Sequence, residues 1–268
     1  MAGSVHRSEV PCDEGLTDGE VERFVADGFV HLPSAFPRDV ADAGRALLWA
    51  ATGCDSGDPA TWTRPVLRLP GFADEPFRAA ANTPPLLAAY DRLVGADRWI
   101  PRAGLGTFPI RFPHPDDPGD DGWHVEASYS DPATGGFRLN LRSRGRALLM
   151  LFLFSDVGPH DAPTRIRVGS HLDVPPLLAP AGDDGVEFFA LARQAVPASA
   201  RRPVTTATGA AGDVYLCHPF LVHAAQRHRG TQPRFMAQPP LDPVDQLDLD
   251  RTHPSPVERA VLQGLGRA

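Results

Sequence analysis

After Trp99 the chain changes character, and that change constrains its fold most. From there the sequence breaks into short, β-prone pieces: "GTFPIRF", "GWHVEA", "FRLNLRS", "ALLMLFLFSDV", "TRIRV", "RPVTT", "DVYLC", "FLVHAA" and "RFMAQPPL", separated by Pro, Gly and Asp. Short strands at regular spacing with turn residues between them predict an antiparallel sandwich or barrel. The longest apolar run, Ala147–Phe154, is too short to span a bilayer and reads as a strand buried on both faces. Helical inserts are expected around Val174–Leu178 and Val186–Ala195.

The first ninety-eight residues read as mainly helical. Thr17 is a candidate N-cap, with Glu20 three residues later as in a capping box and Val21, Phe24 and Val25 as the apolar face. Gly28 ends that helix and "FVHL" follows as a strand. A second helix is predicted from about Pro37, with Val40, Leu47 and Leu48 inward, a third over Pro84–Val94, and a closing one over Pro256–Leu265. No linker or repeat divides the 268 residues. The expectation is one domain over 1–268: a helical part (1–98), a β core with inserts (99–242) and a C-terminal tail with a helix (243–268).

Apolar residues make up 42% of the chain, enough for a sizeable core. The formal charge is −7, and all 26 basic residues are arginine. That balance argues against polybasic tails for nucleic acid or membrane. Cys12, Cys54 and Cys217 are odd in number and far apart, so no disulfide framework follows. "MAGSVHRSEV" has no apolar signal-peptide region, which predicts a cytoplasmic setting.

Within "GWHVEASY", His124 and Glu126 stand at i and i+2, so on a strand they share a face while Val125 points away. Alone they fit a surface turn as well as half a metal site. His223, after a Gly212-Asp213 turn and a β-run, is the best candidate for a third ligand. Two histidines and a carboxylate form a facial triad that leaves coordination positions open and suits non-haem Fe(II). Arg234, eleven residues further on, offers a planar fork for a carboxylate, and a buried arginine needs an anionic partner. A dicarboxylate chelating a metal at one end and meeting Arg234 at the other has the shape of 2-oxoglutarate. His218 competes with His223 but lies an odd number of residues away, so the two would face opposite ways on a regular strand. His171 reads as a turn-closing residue. His114, His160 and His228 read as solvated loop residues, and Cys217 as a core thiol. Arg165 and Arg167 are expected in salt bridges on an outer face or at substrate. The acidic run His114–Asp121 reads as a solvated loop placed to act as a lid.

From "LTDGEVERFVADGFVHLPSAFP" to just past Arg234, the chain resembles the phytanoyl-CoA dioxygenase family of Fe(II)/2-oxoglutarate-dependent dioxygenases. Trp123-His124-Val125-Glu126 matches its W-H-x-D/E element, "TRIRVGSH" resembles its P-G-S-H stretch with Val168 in place of proline, and "GDVYLCHPFLVHAA" carries its H-P-x-x-x-H run. The resemblance implies a mostly β fold with flanking helices around a double-stranded β-helix (jelly-roll, cupin-like) core. It implies His124, Glu126 and His223 as metal ligands and catalytic residues, with Arg234, Thr107 and Arg111 toward 2-oxoglutarate. It favours His223 over His218 as the ligand and leaves His218 structural. From position alone, Trp123 and Tyr129, which flank the metal pair, are expected to wall the pocket, and Asn140 and Arg142, which alternation puts on one face with Arg138, to bind polar groups of the substrate. Two departures stand out: Glu126 replaces the usual aspartate, and Ala225 replaces a serine that helps hold 2-oxoglutarate. The implied activity consumes Fe(II)-bound 2-oxoglutarate and O2, releases succinate and CO2, and oxidises a C–H bond of a small molecule, most simply by hydroxylation. Glu126 argues against halogenation, which needs a small residue at that place. The absence of lysine argues against an acyl-CoA, and the Ala-, Arg-, Gly- and Pro-rich composition fits bacterial natural-product tailoring. Two rivals use the same residues: a zinc hydrolase, which leaves Arg234 without purpose, and a non-catalytic jelly-roll binding protein, which would not need an intact triad.

Overall fold

The computed structural model describes residues 15–267; Cys12 and the stretch read for a signal peptide lie outside them. Thr17 caps the first helix, Asp18–Asp27 (α1), through the expected box: its Oγ1 accepts from Glu20 N at 3.3 Å, and the Glu20 carboxylate accepts from Thr17 N at 2.8 Å. Gly28 ends α1 at φ +85°, and a Cβ there would lie 2.4 Å from His171 Nδ1, so glycine answers both backbone and space. Phe29–Leu32 (β1) leads to Arg38–Thr52 (α2). The buried stripe of α2 is Ala41, Gly44 and Leu48; Val40 is half-buried and Leu47, expected inward, is exposed. The cause is close packing at Gly44, whose absent Cβ would sit 2.6 Å from Phe154. That approach centres the 41/44/48 stripe on the core and turns position 47 off it.

Val66–Leu69 (β2), Glu75–Ala81 (α3) and Pro84–Val94 (α4) complete the N-terminal part. The β segments follow: Phe108–Arg111 (β3), Tyr129–Ser130 (β4), Phe137–Leu139 (β5), Leu148–Leu153 (β6) and Thr164–Arg167 (β7). Pro175–Leu178 (α5), Val186–Glu187 (β8), Phe188–Ala198 (α6), Val204–Ala207 (β9) and Val214–Cys217 (β10) come next, then His223–Ala224 (β11), Met236–Ala237 (β12), Pro240–Leu241 (β13) and Pro256–Gly264 (α7). The insert expected from Val186 opens as a strand, because Val186 and Glu187 pair with β5; Glu187 then caps α6 by accepting from Phe189 N and Ala190 N.

The expectation of a mostly β chain needs correction. Helices hold more of the described residues than strands, and many strands are only two to four residues long. The antiparallel strands form four separate ladders rather than one closed barrel. The Pro- and Gly-rich connections that predicted turns also end each strand early, leaving isolated pairings where longer strands were expected.

β6 explains the organisation. It pairs with β10 on one side and with β12 and β13 on the other. Leu148, Met150 and Phe152 join the large core that also takes in the helices, while Leu149, Leu151 and Leu153 join a second cluster with Ile166 of β7 and Ala207 of β9. Burial on both faces therefore stacks the β1-β10-β6-β12 sheet on the β11-β7-β9 sheet, with the helices behind. Among the described residues no helix is long and apolar enough to cross a membrane.

Candidate metal centre and co-substrate pocket

Two cross-strand pairs build the site. His124 and His223 exchange both backbone hydrogen bonds at 3.0 Å, so their side chains leave the ladder on the same face. The strand expected over "GWHVEA" is thus a single bridge, because its partner β11 is two residues long. The alternation survives: Val125 is buried at 1% exposure, while Glu126 returns to the histidine side. The candidate ligand atoms of His124, Glu126 and His223 all lie within 4.8 Å of one another. Glu126 Oε1 is 3.7 Å from His124 Nε2 and 3.6 Å from His223 Nε2.

Each imidazole is fixed from behind. His124 Nδ1 pairs with Gly122 O at 2.9 Å and His223 Nδ1 with Leu221 O at 3.0 Å. A ring nitrogen facing a carbonyl must carry the proton, which leaves each Nε2 with a free lone pair. His223 Nε2 is buried with no hydrogen-bond partner, a costly arrangement that an ion would relieve. Burial pushes the Glu126 carboxyl up, but the His124 and His223 imidazoles beside it and the nearby Arg146 outweigh it and hold it well below the usual range. Burial lowers His124, yet Glu126 outweighs it and raises that pKa; His223 is pushed down by burial and by His124. The trio thus presents an ionised carboxylate and two imidazole nitrogens, a donor set that fits a divalent metal with open positions.

The second pair is Arg111 and Arg234, whose backbones also exchange hydrogen bonds, at 3.1 and 2.8 Å. Both guanidinium groups line the same cavity of about 480 Å³ as the histidines and Glu126. Arg234 is 1% exposed, donates to Ala162 O and, at 3.2 Å, to Pro109 O, and its Nε has no partner. No carboxylate of the described residues lies within 4.0 Å of it. Burial, with Arg111 next in weight, pushes its pKa well below the ordinary arginine value. A buried cation without an anion, aimed into a cavity beside a metal-type donor set, fits a carboxylate ligand. Arg111 differs: its Nη2 contacts both oxygens of Asp120 at 2.8 Å, and Arg68 reaches the same carboxylate. Asp120 thereby pins the 114–121 loop against the pocket mouth.

Other expected contacts fall elsewhere. Trp123 lines the cavity, with Arg165 and Arg167 stacked over its ring at 4.8 and 4.5 Å; among the described residues neither arginine has an acidic partner, against the expected salt bridges. Thr107 is exposed and does not line the cavity, because β3 begins only at Phe108 and the alternation does not extend back to it. Tyr129 gives its hydroxyl to Asp184 O at 2.7 Å instead of walling the pocket. Asn140 is buried in a turn, accepting from Arg144 N at 2.9 Å, and Arg142 pairs with Asp250 at 2.8 Å. These three belong to or follow the β4-β5-β8 ladder, whose polar groups tie down the 183–185 segment rather than reach the metal centre. His228, expected in solvent, is buried at 8% exposure. His218 donates from a fully buried position to Val257 O at 3.1 Å, and His171 Nε2 meets Val25 O at 3.0 Å, so both are structural. Cys217 is a buried free thiol, which burial pushes up.

Several lining residues carried no sequence signal strong enough to single them out: Asp120, Thr164, Phe188, Phe189 and Gln238. Thr164 continues the β11–β7 register to the position opposite Ala225, and its hydroxyl has only the Met236 sulfur, at 3.9 Å, as partner. Phe188 packs edge-on against His124, with ring centroids 5.7 Å apart, and Phe189 is 65% exposed at the rim.

An antiparallel scaffold holding two histidines, one carboxylate and a buried arginine around one cavity has the design of the non-haem iron and 2-oxo acid oxygenases. A family model described as phytanoyl-CoA dioxygenase matches residues 72–236, a span that includes all four of those side chains, and the chain belongs to that family. Its members are oxidoreductases that use Fe(II), 2-oxoglutarate and O2. No curated protein matches the sequence significantly. Among solved structures, HygX from Streptomyces hygroscopicus, with nickel and 2-oxoglutarate bound, aligns with a TM-score of 0.54 at 20% identity over 83% of this chain and 85% of that one. SnoK, a non-haem α-ketoglutarate-dependent carbocyclase from nogalamycin biosynthesis, aligns at 0.54 and 19% over 83% and 82%. SnoN, an epimerase of the same biosynthesis, aligns at 0.52 and 17% over 82% and 80%. At these identities the likeness is one of fold.

Proposed function

We propose that the chain is an Fe(II)- and 2-oxoglutarate-dependent dioxygenase that hydroxylates a C–H bond of a small molecule in bacterial secondary metabolism. The observation that carries this reading is the shared cavity: three ligand atoms within 4.8 Å of one another and an unpaired buried arginine open into the same space. In this reading His124, Glu126 and His223 hold the iron, which supplies the O2-activating and C–H-oxidising chemistry when bound. Arg234 takes the distal carboxylate of 2-oxoglutarate, and Thr164 supplies the hydroxyl that Ala225 lacks. Asp120, through Arg111 and Arg68, closes the loop over the mouth and limits water. Trp123, Phe188 and Phe189 line the side left for substrate.

The two stacked sheets serve as a jelly-roll core, and residues 1–268 act as one cytoplasmic catalytic domain braced by the N-terminal helices. Small-molecule binding is supported by the related folds, since HygX has been seen with hygromycin B and SnoN with nogalamycin RO. Cyclisation and epimerisation are the alternatives to hydroxylation that SnoK and SnoN bring to mind. Adding Fe(II) and 2-oxoglutarate anaerobically should give a weak visible charge-transfer band, absent in His124→Ala and weaker in Arg234→Ala. A folded protein with no band would refute the assignment. A succinate-release screen then sorts substrates.

A further inference from the structure

Arg146 belongs to no surface ion pair and was not among the expected site residues. Its side chain is 12% exposed, and its Nη2 lies 4.0 Å from Glu126 Oε2, whereas Oε1 is the oxygen paired with both histidines. The same nitrogen donates to Ala127 O at 3.2 Å, the carbonyl next along from the ligand. Nε and Nη1 are buried without partners. Among the described residues Glu126 is the one carboxylate within 4.0 Å of this guanidinium. The backbone beneath it is held by a tight turn, with Arg146 N donating to Ser143 O at 3.1 Å and Ser143 Oγ donating to Arg146 O at 2.7 Å. The cation is therefore placed by the fold and aimed at one oxygen of one ligand.

We propose that Arg146 is a positioning residue that keeps Glu126 a one-oxygen ligand, by holding Oε2 off the metal while Oε1 faces the two imidazoles. The proposal rests on the triad reading above. Glutamate has one more torsion than aspartate, so its carboxylate can swing until both oxygens meet the ion. That would take one of the three positions the facial triad must leave for 2-oxoglutarate and O2. A guanidinium fixed behind Oε2 removes that freedom, and so lets the longer side chain serve where a shorter one needs less restraint.

Co(II) tests this without turnover. In the full-length protein, equilibrium dialysis should show one Co(II) bound by wild type and binding lost in His124→Ala. Arg146→Met should tighten Co(II) severalfold, because the second Glu126 oxygen is then free to join the ion. Its visible d–d bands should lose intensity, as they do when coordination number rises. Arg146→Gln keeps a donor for Ala127 O but no charge and should behave like Arg146→Met; it decides the matter if the Met variant does not fold. Arg146→Lys should recover most of the wild-type spectrum. In a Glu126→Ala background, Arg146→Met should change the residual affinity less than twofold, since its partner is gone. Wild-type or weaker affinity with wild-type bands in Arg146→Met and Arg146→Gln, or an equal shift in both backgrounds, would overturn the role of Arg146 and leave the triad standing. Failure of wild type to bind Co(II) more tightly than His124→Ala would remove the triad reading and this inference with it.

Discussion

Replacing Arg234 with methionine separates ligand binding from scaffold. The guanidinium is 1% exposed and shares its cavity with the metal donors, so a carboxylate meeting it does so away from bulk water. A hydrogen bond to a charged group contributes about 1.5–3 kcal/mol, so a two-bond fork contributes about 3 kcal/mol at the lower end. At about 1.4 kcal/mol per decade, its loss weakens 2-oxoglutarate roughly a hundredfold. The assay is thermal unfolding with redox-inert Ni(II), with and without 2-oxoglutarate. At about 100 times the wild-type Kd the ligand adds about 2.7 kcal/mol, whereas the same concentration only equals the variant's Kd and adds about 0.4 kcal/mol. With about 2–4 °C per kcal/mol for a protein of this size, wild type should gain about 5–10 °C and Arg234→Met about 1 °C. Each protein is its own reference, so any change in its intrinsic stability cancels. Arg111→Met should keep more of the rise, because Asp120 already occupies that guanidinium at 2.8 Å. A full rise in Arg234→Met would refute the co-substrate role and leave Arg234 a structural cation.

Acid should unfold the protein through its buried histidines. Burial lowers His171 to about 4 and pushes His218 well below its ordinary value, so the unfolded chain takes up these protons first. Their stability is complete above about pH 6.5 and is lost as pH falls through about 4, with His171 alone worth about 3 kcal/mol; flat urea midpoints between pH 7 and 4.5 would contradict this. Gly28→Ala should lower the urea-derived stability by about 1–2 kcal/mol from its left-handed backbone alone, with the clash against His171 adding to it; an unchanged midpoint would show that the helix end can shift. Asp120→Asn should speed amide exchange in residues 114–121 by weakening the ties to Arg111 and Arg68, and unchanged exchange would mean the loop is held by other contacts.

How far the fold could be read differs from element to element. Thr17 and Glu20 mark the start of α1 because both capping bonds are local, and the bounds of α4 follow from Pro84 and the apolar spacing after it. The double burial of β6 is legible because an unbroken apolar run has no polar face to give to water. Leu47 is exposed although its spacing points inward, because inward direction depends on what α2 meets, and the contact that sets it, Gly44 on Phe154, joins residues more than a hundred positions apart. The strands are shorter than their sequences suggest because β-propensity reports a pleated, half-buried environment and does not reveal where a partner strand ends.

The site shows the same division at closer range. His124, Glu126, His223 and Arg234 could be chosen because their chemical types are few and their roles need no neighbour to be named. Thr107, Asn140 and Arg142 rest on alternation, which fails where a strand is three residues long or has not yet begun, and Tyr129 rests only on its nearness in sequence to the metal pair. What no spacing could supply is that three of these residues fall in two directly opposed backbone pairs, His124 with His223 and Arg234 with Arg111. Each pair needs a register set by distant strands, and that register puts a metal-type donor set and a cationic pair into one cavity. Arg146 and Asp120 follow from the same cause. Each is an ordinary charged residue in its own segment and acquires a role only because the fold brings it to a single oxygen of Glu126 or a single guanidinium of Arg111.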